Sequence, residues 1–261
     1  MRRDPGFIFV GGLHRSGTSS VAAMLAAADE ATGLVGTGFP EDEGHYLHGL
    51  VPSAIEHGGP GRFAFDARSH RGPSLTPDAD RRVLRDSWEP FWASPSAPIR
   101  VEKSPQTLLQ TRWIQSIEPT ARFVIVLRHP ITVALATQKW TRPGPPKMRR
   151  LAPAMTLERL VAHWLWAHHL FEQDRVDLDH VEVIRFEDFL HSAAARQGLM
   201  DRLGLWSTAP QPEQRRVDRG YHETWKQWLK SPAGRLTARS WLPTAAVAMQ
   251  RWGYSLDDPL I

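Results

Sequence analysis

Four apolar, β-prone residues, Phe7-Ile-Phe-Val10, run into Gly11-Gly12, and at Thr18 an Ala-, Leu- and Met-rich stretch begins that continues to Ala28. By propensity this is strand, glycine turn, helix. A turn in that position aims backbone N–H groups and the positive end of the helix dipole at an anion. The same alternation recurs. Pro98-Ile-Arg-Val-Glu-Lys103 reads as a second strand, with Ser104-Pro105 opening a helix through Ser116. Arg122-Phe-Val-Ile-Val-Leu127 is a third, stopped by Arg128-His-Pro130 and followed by a helix from about Ile131 to Trp140. Val181-Glu-Val-Ile-Arg-Phe186 is a fourth, leading into Glu187-Asp188 and a helix through Leu203. Continuous apolar strands alternating with helices predict an α/β fold of three layers, a central and mostly parallel sheet flanked by helices. The length of 261 residues suits a single domain over 1–261.

Between the third and fourth strands, Met155 to Glu172 carries apolar residues at helical spacing on one face, and its Trp164, Trp166, His168 and His169 read as packing residues rather than a ligand box. Thr237–Trp252 reads as a closing helix with Gly253 just past its end. Gly58–Asp80 and Thr141–Pro153 read as loops.

The turn Gly12-Leu-His-Arg-Ser-Gly17-Thr18-Ser19 has the glycine spacing of a Walker A loop, but Thr18 stands where that loop has lysine. The available cation is Arg15. The second strand ends on Glu102-Lys103 and the third on Arg128-His129, so cations stand at the carboxyl ends of neighbouring strands, where open sheets bind their ligands. Adjacent strand residues point to opposite faces, which puts Lys103 in the cleft and turns Glu102 away from it. A phosphate or sulfate ester fits this charge better than a metal-bound triphosphate.

Composition agrees. Lys plus Arg number 32 against 28 Asp plus Glu, a net charge of +4, which favours anionic partners. The acids are interspersed with the bases, which argues against a nucleic-acid-binding module. The absence of cysteine excludes disulfides, thiolate catalysis and iron–sulfur clusters. No apolar run approaches the ~18 residues of a membrane span, and the apolar stretch after Met1-Arg-Arg is too short for a secretory signal, so a cytoplasmic protein is expected.

These residues resemble the P-loop-like sulfotransferases that use 3′-phosphoadenosine-5′-phosphosulfate (PAPS). Phe9-Val-Gly-Gly-Leu-His-Arg-Ser-Gly-Thr-Ser-Ser20 looks like that family's 5′-phosphosulfate loop, and Glu102-Lys-Ser-Pro105 is similar to the segment carrying a second lysine. Phe123-Val-Ile-Val-Leu-Arg-His-Pro130 looks like the strand and turn with the 3′-phosphate arginine, and Val183-Ile-Arg-Phe-Glu-Asp188 like a late structural strand. The four patches come in the family's order. The resemblance implies that His14, Arg15, Ser16, Gly17, Thr18 and Ser19 hold the 5′-phosphosulfate, that Lys103 neutralises the leaving oxygen, and that Arg128 grips the 3′-phosphate. It also implies no metal cofactor. The family's serine eight residues beyond that arginine is Ala136 here; Thr137 and Thr132 are the neighbouring hydroxyls.

Transfer to an alcohol needs a base for the hydroxyl proton. Phe39-Pro-Glu41-Asp-Glu43-Gly-His45-Tyr-Leu-His48 offers carboxylates and imidazoles after the first helix. Glu43, at the spacing that resembles the Glu-using branch, comes first, then Glu41, then His45 and His48. The competing reading makes Pro40–Glu43 the acidic first turn of a helix running to Glu56. Tyr221, Trp225 and Trp228, near Arg215, Arg216 and Arg219, suit adenine stacking, an acceptor pocket or ordinary core packing, and the cationic loop 141–150 suits a cover or a solvated loop. The expected acceptor is a hydroxyl of a small molecule, lipid or carbohydrate; a P-loop kinase with an atypical loop is the alternative.

Overall fold

The computed structural model describes residues 5–141, 155–208 and 220–261. Five strands, β1 (Gly6–Gly12), β2 (Ala31–Gly33), β3 (Ile99–Lys103), β4 (Arg122–Leu127) and β5 (Val181–Arg185), form one sheet in the order β2-β3-β1-β4-β5. Every pairing is parallel. The register sets Val10 beside Lys103 and Gly12 beside Val126, so β1, β3 and β4 end together along one edge.

The pleat sorts the core. Ile8, Val10, Val101, Val124 and Val126 pack with α1 (Thr18–Ala26), α7 (Phe186–His191) and α8 (Ala193–Arg202) on one face. Phe7, Phe9 and Phe123 point to the other, against α3 (Pro77–Trp88) and α4 (Thr111–Ile117). There Phe9 lies between Phe123 and Trp88, with ring centroids 6.0 Å from each. Ile125 and Leu127 continue that face into a second cluster with α5 (Pro130–Thr141), α6 (Leu157–Arg175), α9 (Tyr221–Lys230) and α10 (Pro232–Gln250). The three layers are those expected.

Several expectations need correction. The stretch after Ser104 is a 3₁₀ segment, Pro105–Leu109, followed by α4; Gln110 is non-helical between them. The helix expected through Leu203 breaks at Ser192, whose side chain accepts from Ala195 N–H and caps α8. The closing helix starts earlier, at Pro232, and Gly253 adopts φ 74° beyond its end. No helix runs from Pro40 to Glu56: Pro40–Asp42 is a single 3₁₀ turn, and α2 covers only His45–His48. β2 and α3 were not expected. The loop 141–153 lies, from residue 142 on, outside the described residues.

Trp164 and His168 are fully buried while Trp166 and His169 lie outward, as a core-packing helix requires. Phe9→Ala should lower the unfolding free energy by about 3–5 kcal/mol, the usual cost of deleting a buried ring, read from urea denaturation.

Candidate active site

The turn between β1 and α1 is held open by its own backbone. Ser16 N–H donates to the Leu13 carbonyl (3.0 Å), and Arg15 takes a left-handed φ of 71°. Gly17 has φ 98°, and a Cβ there would stand 2.3 Å from the Phe186 ring, so only glycine fits. No side chain caps α1. Its first N–H groups therefore face the sheet edge with the helix dipole behind them. Ser16 is buried and its hydroxyl has no partner among the described residues; the same holds for Thr132, in the first turn of α5. Thr18 is buried and Ser19 exposed at the start of the helix.

Across the edge, Lys103 Nζ donates to Glu43 Oε1 at 3.0 Å and stands 3.8 Å from Glu41 Oε2. Ser19 Oγ donates to the same Glu41 oxygen, tying the turn to the acidic segment. Glu41 and Asp42 have φ of 57° and 50°. Asp42 accepts from Thr37 N–H (2.8 Å) and Thr37 Oγ (2.9 Å), a tie that holds this strained bend and prevents the helix start that the acids suggest. Glu43 is nearly buried, and burial pushes its carboxyl up while Lys103 pulls it back.

Arg128 closes the site on the β4 side. Nη1 donates to the Arg15 carbonyl (2.9 Å), and Nε donates to the main-chain oxygen of Ile261 (3.0 Å). Its guanidinium lies 5.1 Å from the centroid of the Phe186 ring and 5.8 Å from that of Tyr221. The Arg128 carbonyl accepts from the buried Trp164 indole at 3.0 Å. The adjacent His129 N–H donates to Glu187, which also accepts from Tyr254 Oη. Core groups thus fix the backbone around this arginine.

Arg15, Ser16, Gly17, Thr18, Ser19, Glu41, Glu43, Lys103 and Arg128 come together at one sheet edge. Others do not. His48 turns inward, lining a void of about 10 Å³ with Trp88, Glu102 and Trp113; His45 lines the same void, but its Nδ1 also stands 3.6 Å from Glu43 Oε2, and burial lowers the two pKa values to about 3 for His45 and about 4 for His48. His14, lowered to about 4 by burial with Lys103 and Arg15 adding to it, and Thr137 line another void of about 10 Å³ with Gly61 and His163. Ala136 packs in the core. Tyr221 faces Arg128, whereas Trp225 stacks on Trp228 at 5.1 Å within the helical layer. Arg215, Arg216 and Arg219 lie outside the described residues. Sequence reasoning missed Phe186 as the ring behind Gly17 and Arg128, and residue 261 as a partner of Arg128. Among the described residues no group of three His, Asp or Glu gathers as a metal ligand set, and no helix is long and apolar enough to cross a membrane.

Residues 5–208 match the family model described as Sulfotransferase family. The chain belongs to the sulfotransferase family. Its architecture is similar to that of the sulfotransferase STF1 from Mycobacterium tuberculosis, with TM-score 0.62 and 15% identity over 96% of this chain and 77% of that one. The sulfotransferase domain from the curacin biosynthetic pathway aligns with TM-score 0.54 and 15% identity, over 98% of this chain and 100% of that one. A sulfotransferase from Alicyclobacillus acidocaldarius gives 0.50 and 15%, covering 96% of each chain. At these identities the structural likeness concerns the fold, the P-loop-like α/β sandwich. No curated protein sequence matches significantly. For this sulfotransferase, Gly17→Ala should destabilise the chain by about 2 kcal/mol or more, because strain and the collision with Phe186 add. Thermal unfolding read beside anion binding would check this.

Proposed function

We propose that the protein transfers the sulfuryl group of PAPS to a hydroxyl of a small-molecule, lipid or carbohydrate acceptor, with Glu43 as the base. The observation that carries this reading is the convergence of an uncapped helix N-terminus, Lys103 and Arg128 at one edge, with a carboxylate paired to the lysine. The residues present fit the cosubstrate: the unpartnered buried Ser16 hydroxyl and the open turn suit an anion. Bound there, PAPS supplies an activated sulfuryl group at one end and a 3′-phosphate near the adenosine.

The N–H groups of Arg15 and Gly17–Ser19 and the Ser16, Thr18 and Ser19 hydroxyls would hold the 5′ end. Arg128 would exchange its Ile261 oxygen for the 3′-phosphate, which its planar fork suits. Thr132, buried and unpartnered among the described residues, is the better stand-in for the hydroxyl missing at Ala136, since Thr137 lies beside His14. Lys103 leaves Glu43 to neutralise charge on the departing oxygen, and the released Glu43 takes the acceptor's proton at Oε. A carboxyl raised by burial is a better proton acceptor than an ordinary glutamate. The buried imidazoles of His45 and His48, with their lowered pKa values, are weaker bases and face the small void. Glu41, exposed and tied to Ser19, is the second carboxylate in reach. The kinase alternative gains no support, because the family model is that of sulfotransferases.

Two measurements test this. Arg128→Ala should weaken 3′,5′-bisphosphoadenosine binding by about 10- to 100-fold, the worth of charged hydrogen bonds, with AMP affinity changed far less; equal losses in calorimetry would refute the 3′-phosphate role. Glu43→Gln keeps an oxygen for Lys103 and should lower kcat by about 10²–10⁴-fold while bisphosphoadenosine affinity holds; unchanged turnover would move the base to Glu41.

A further inference from the structure

Glu102 was turned away from the cleft by the pleat of β3, and the structure gives it an occupation there. It is almost fully buried, and burial raises its pKa to about 7. Its Oε1 accepts from Gly44 N–H at 2.9 Å and from Ser104 Oγ–H at 2.5 Å. With its proton directed at Glu102, Ser104 Oγ is left as the acceptor for His45, from the backbone N–H at 3.3 Å and from the ring Nδ1–H at 3.0 Å. The Gly44 carbonyl accepts from the Trp88 indole at 2.9 Å. Both polar groups of Gly44 are thus bonded to buried side chains, and its space is filled as well: a Cβ there would stand 2.9 Å from Glu102 Cγ and Oε1 and from Leu34 Cδ1. Glu43, immediately before it, is held from the opposite side of β3 by Lys103.

We propose that Glu102, through Ser104, is a positioning residue for the transfer reaction: it pins Gly44 and His45 and so fixes where the Glu43 carboxylate stands at the sheet edge, also once Lys103 has turned to the donor. The proposal rests on the reading of Glu43 as the base. Two neighbours on one strand, pointing to opposite faces, grip two neighbours of the crossing segment, one by its side chain and the other by its backbone. The ion pair with Lys103 and the approach of His45 Nδ1 to Glu43 Oε2 at 3.6 Å leave the carboxylate room to swing; fixing the next peptide reduces that freedom. This role acts on the chemical step and leaves the turn at Arg15–Ser19 untouched.

The test is a double-mutant cycle on the full chain with PAPS and an accepted hydroxyl substrate. Glu102→Ala should lower kcat by about 10- to 100-fold, with KM for PAPS and bisphosphoadenosine affinity within about threefold. Glu102→Gln, which keeps the accepting oxygen, should restore most of that loss. In the Glu43→Gln background, adding Glu102→Ala should cost less than about threefold, because the positioned group is already gone. If Glu102→Ala turns over normally while Glu43→Gln is inactive, or if the two losses multiply, the positioning role is overturned and the base assignment stands. An active Glu43→Gln overturns the base assignment, and the proposal with it. Should Glu102→Ala fail to fold, Ser104→Ala decides: a kcat loss of about fivefold or more at unchanged bisphosphoadenosine affinity supports the relay, and unchanged kcat overturns it.

Discussion

The first N–H groups of α1 have no carbonyls of their own to meet, and the rest of the site is arranged around them. Such donors are satisfied by a capping side chain, by water or by a ligand. Here Gly17 occupies the cap position and has no side chain to offer. The parallel sheet brings β3 and β4 alongside β1, so their terminal residues, Lys103 and Arg128, arrive at the same edge. A positive rim on a low-dielectric core is costly unless anions face it. Glu41 and Glu43 face it from the segment after the first crossover, and Arg128 is met instead by the main-chain oxygens of Arg15 and Ile261. Each contact is one that an anionic ligand can replace without leaving a cation bare.

The parts legible in the sequence are those where one short stretch sets its own conformation. Phe7–Val10 and Phe123–Leu127 read as buried strands because continuous apolar runs of that length have few other uses, and the turn at Gly12–Thr18 follows from its place between strand and helix. β2 was invisible because its three residues carry no β-rich run; they are a strand by pairing with β3. The acids at Glu41–Glu43 carried a helix-start pattern, which the bonds from Thr37 to Asp42 override with a bend of positive φ. His45 and His48 were legible as residue types but not as facing inward, which depends on Trp88 and Trp113 filling the space behind them. The bond from Gly44 to Glu102 spans 58 positions of sequence, and no local pattern announces it.

Packing and the candidate site share residues in this fold. The buried Lys103–Glu43 pair is weak evidence of stabilisation, since desolvating two charges offsets their attraction. Beside it, His45 and His48, whose pKa values burial lowers, line one void with Trp88 and Trp113, and the His48 ring packs against both indoles.

Phe186 touches both ends of the candidate cosubstrate site. Its ring stands where a side chain at position 17 would go, and the Arg128 guanidinium lies over it at 5.1 Å. Beside the direct bond from Arg128 Nη1 to the Arg15 carbonyl, the candidate anion-binding turn and the arginine therefore share a rigid, uncharged backing that does not vary with salt or pH. Ionic strength would weaken the grip on any phosphate at either end. The ring would still fix where the arginine stands relative to the turn.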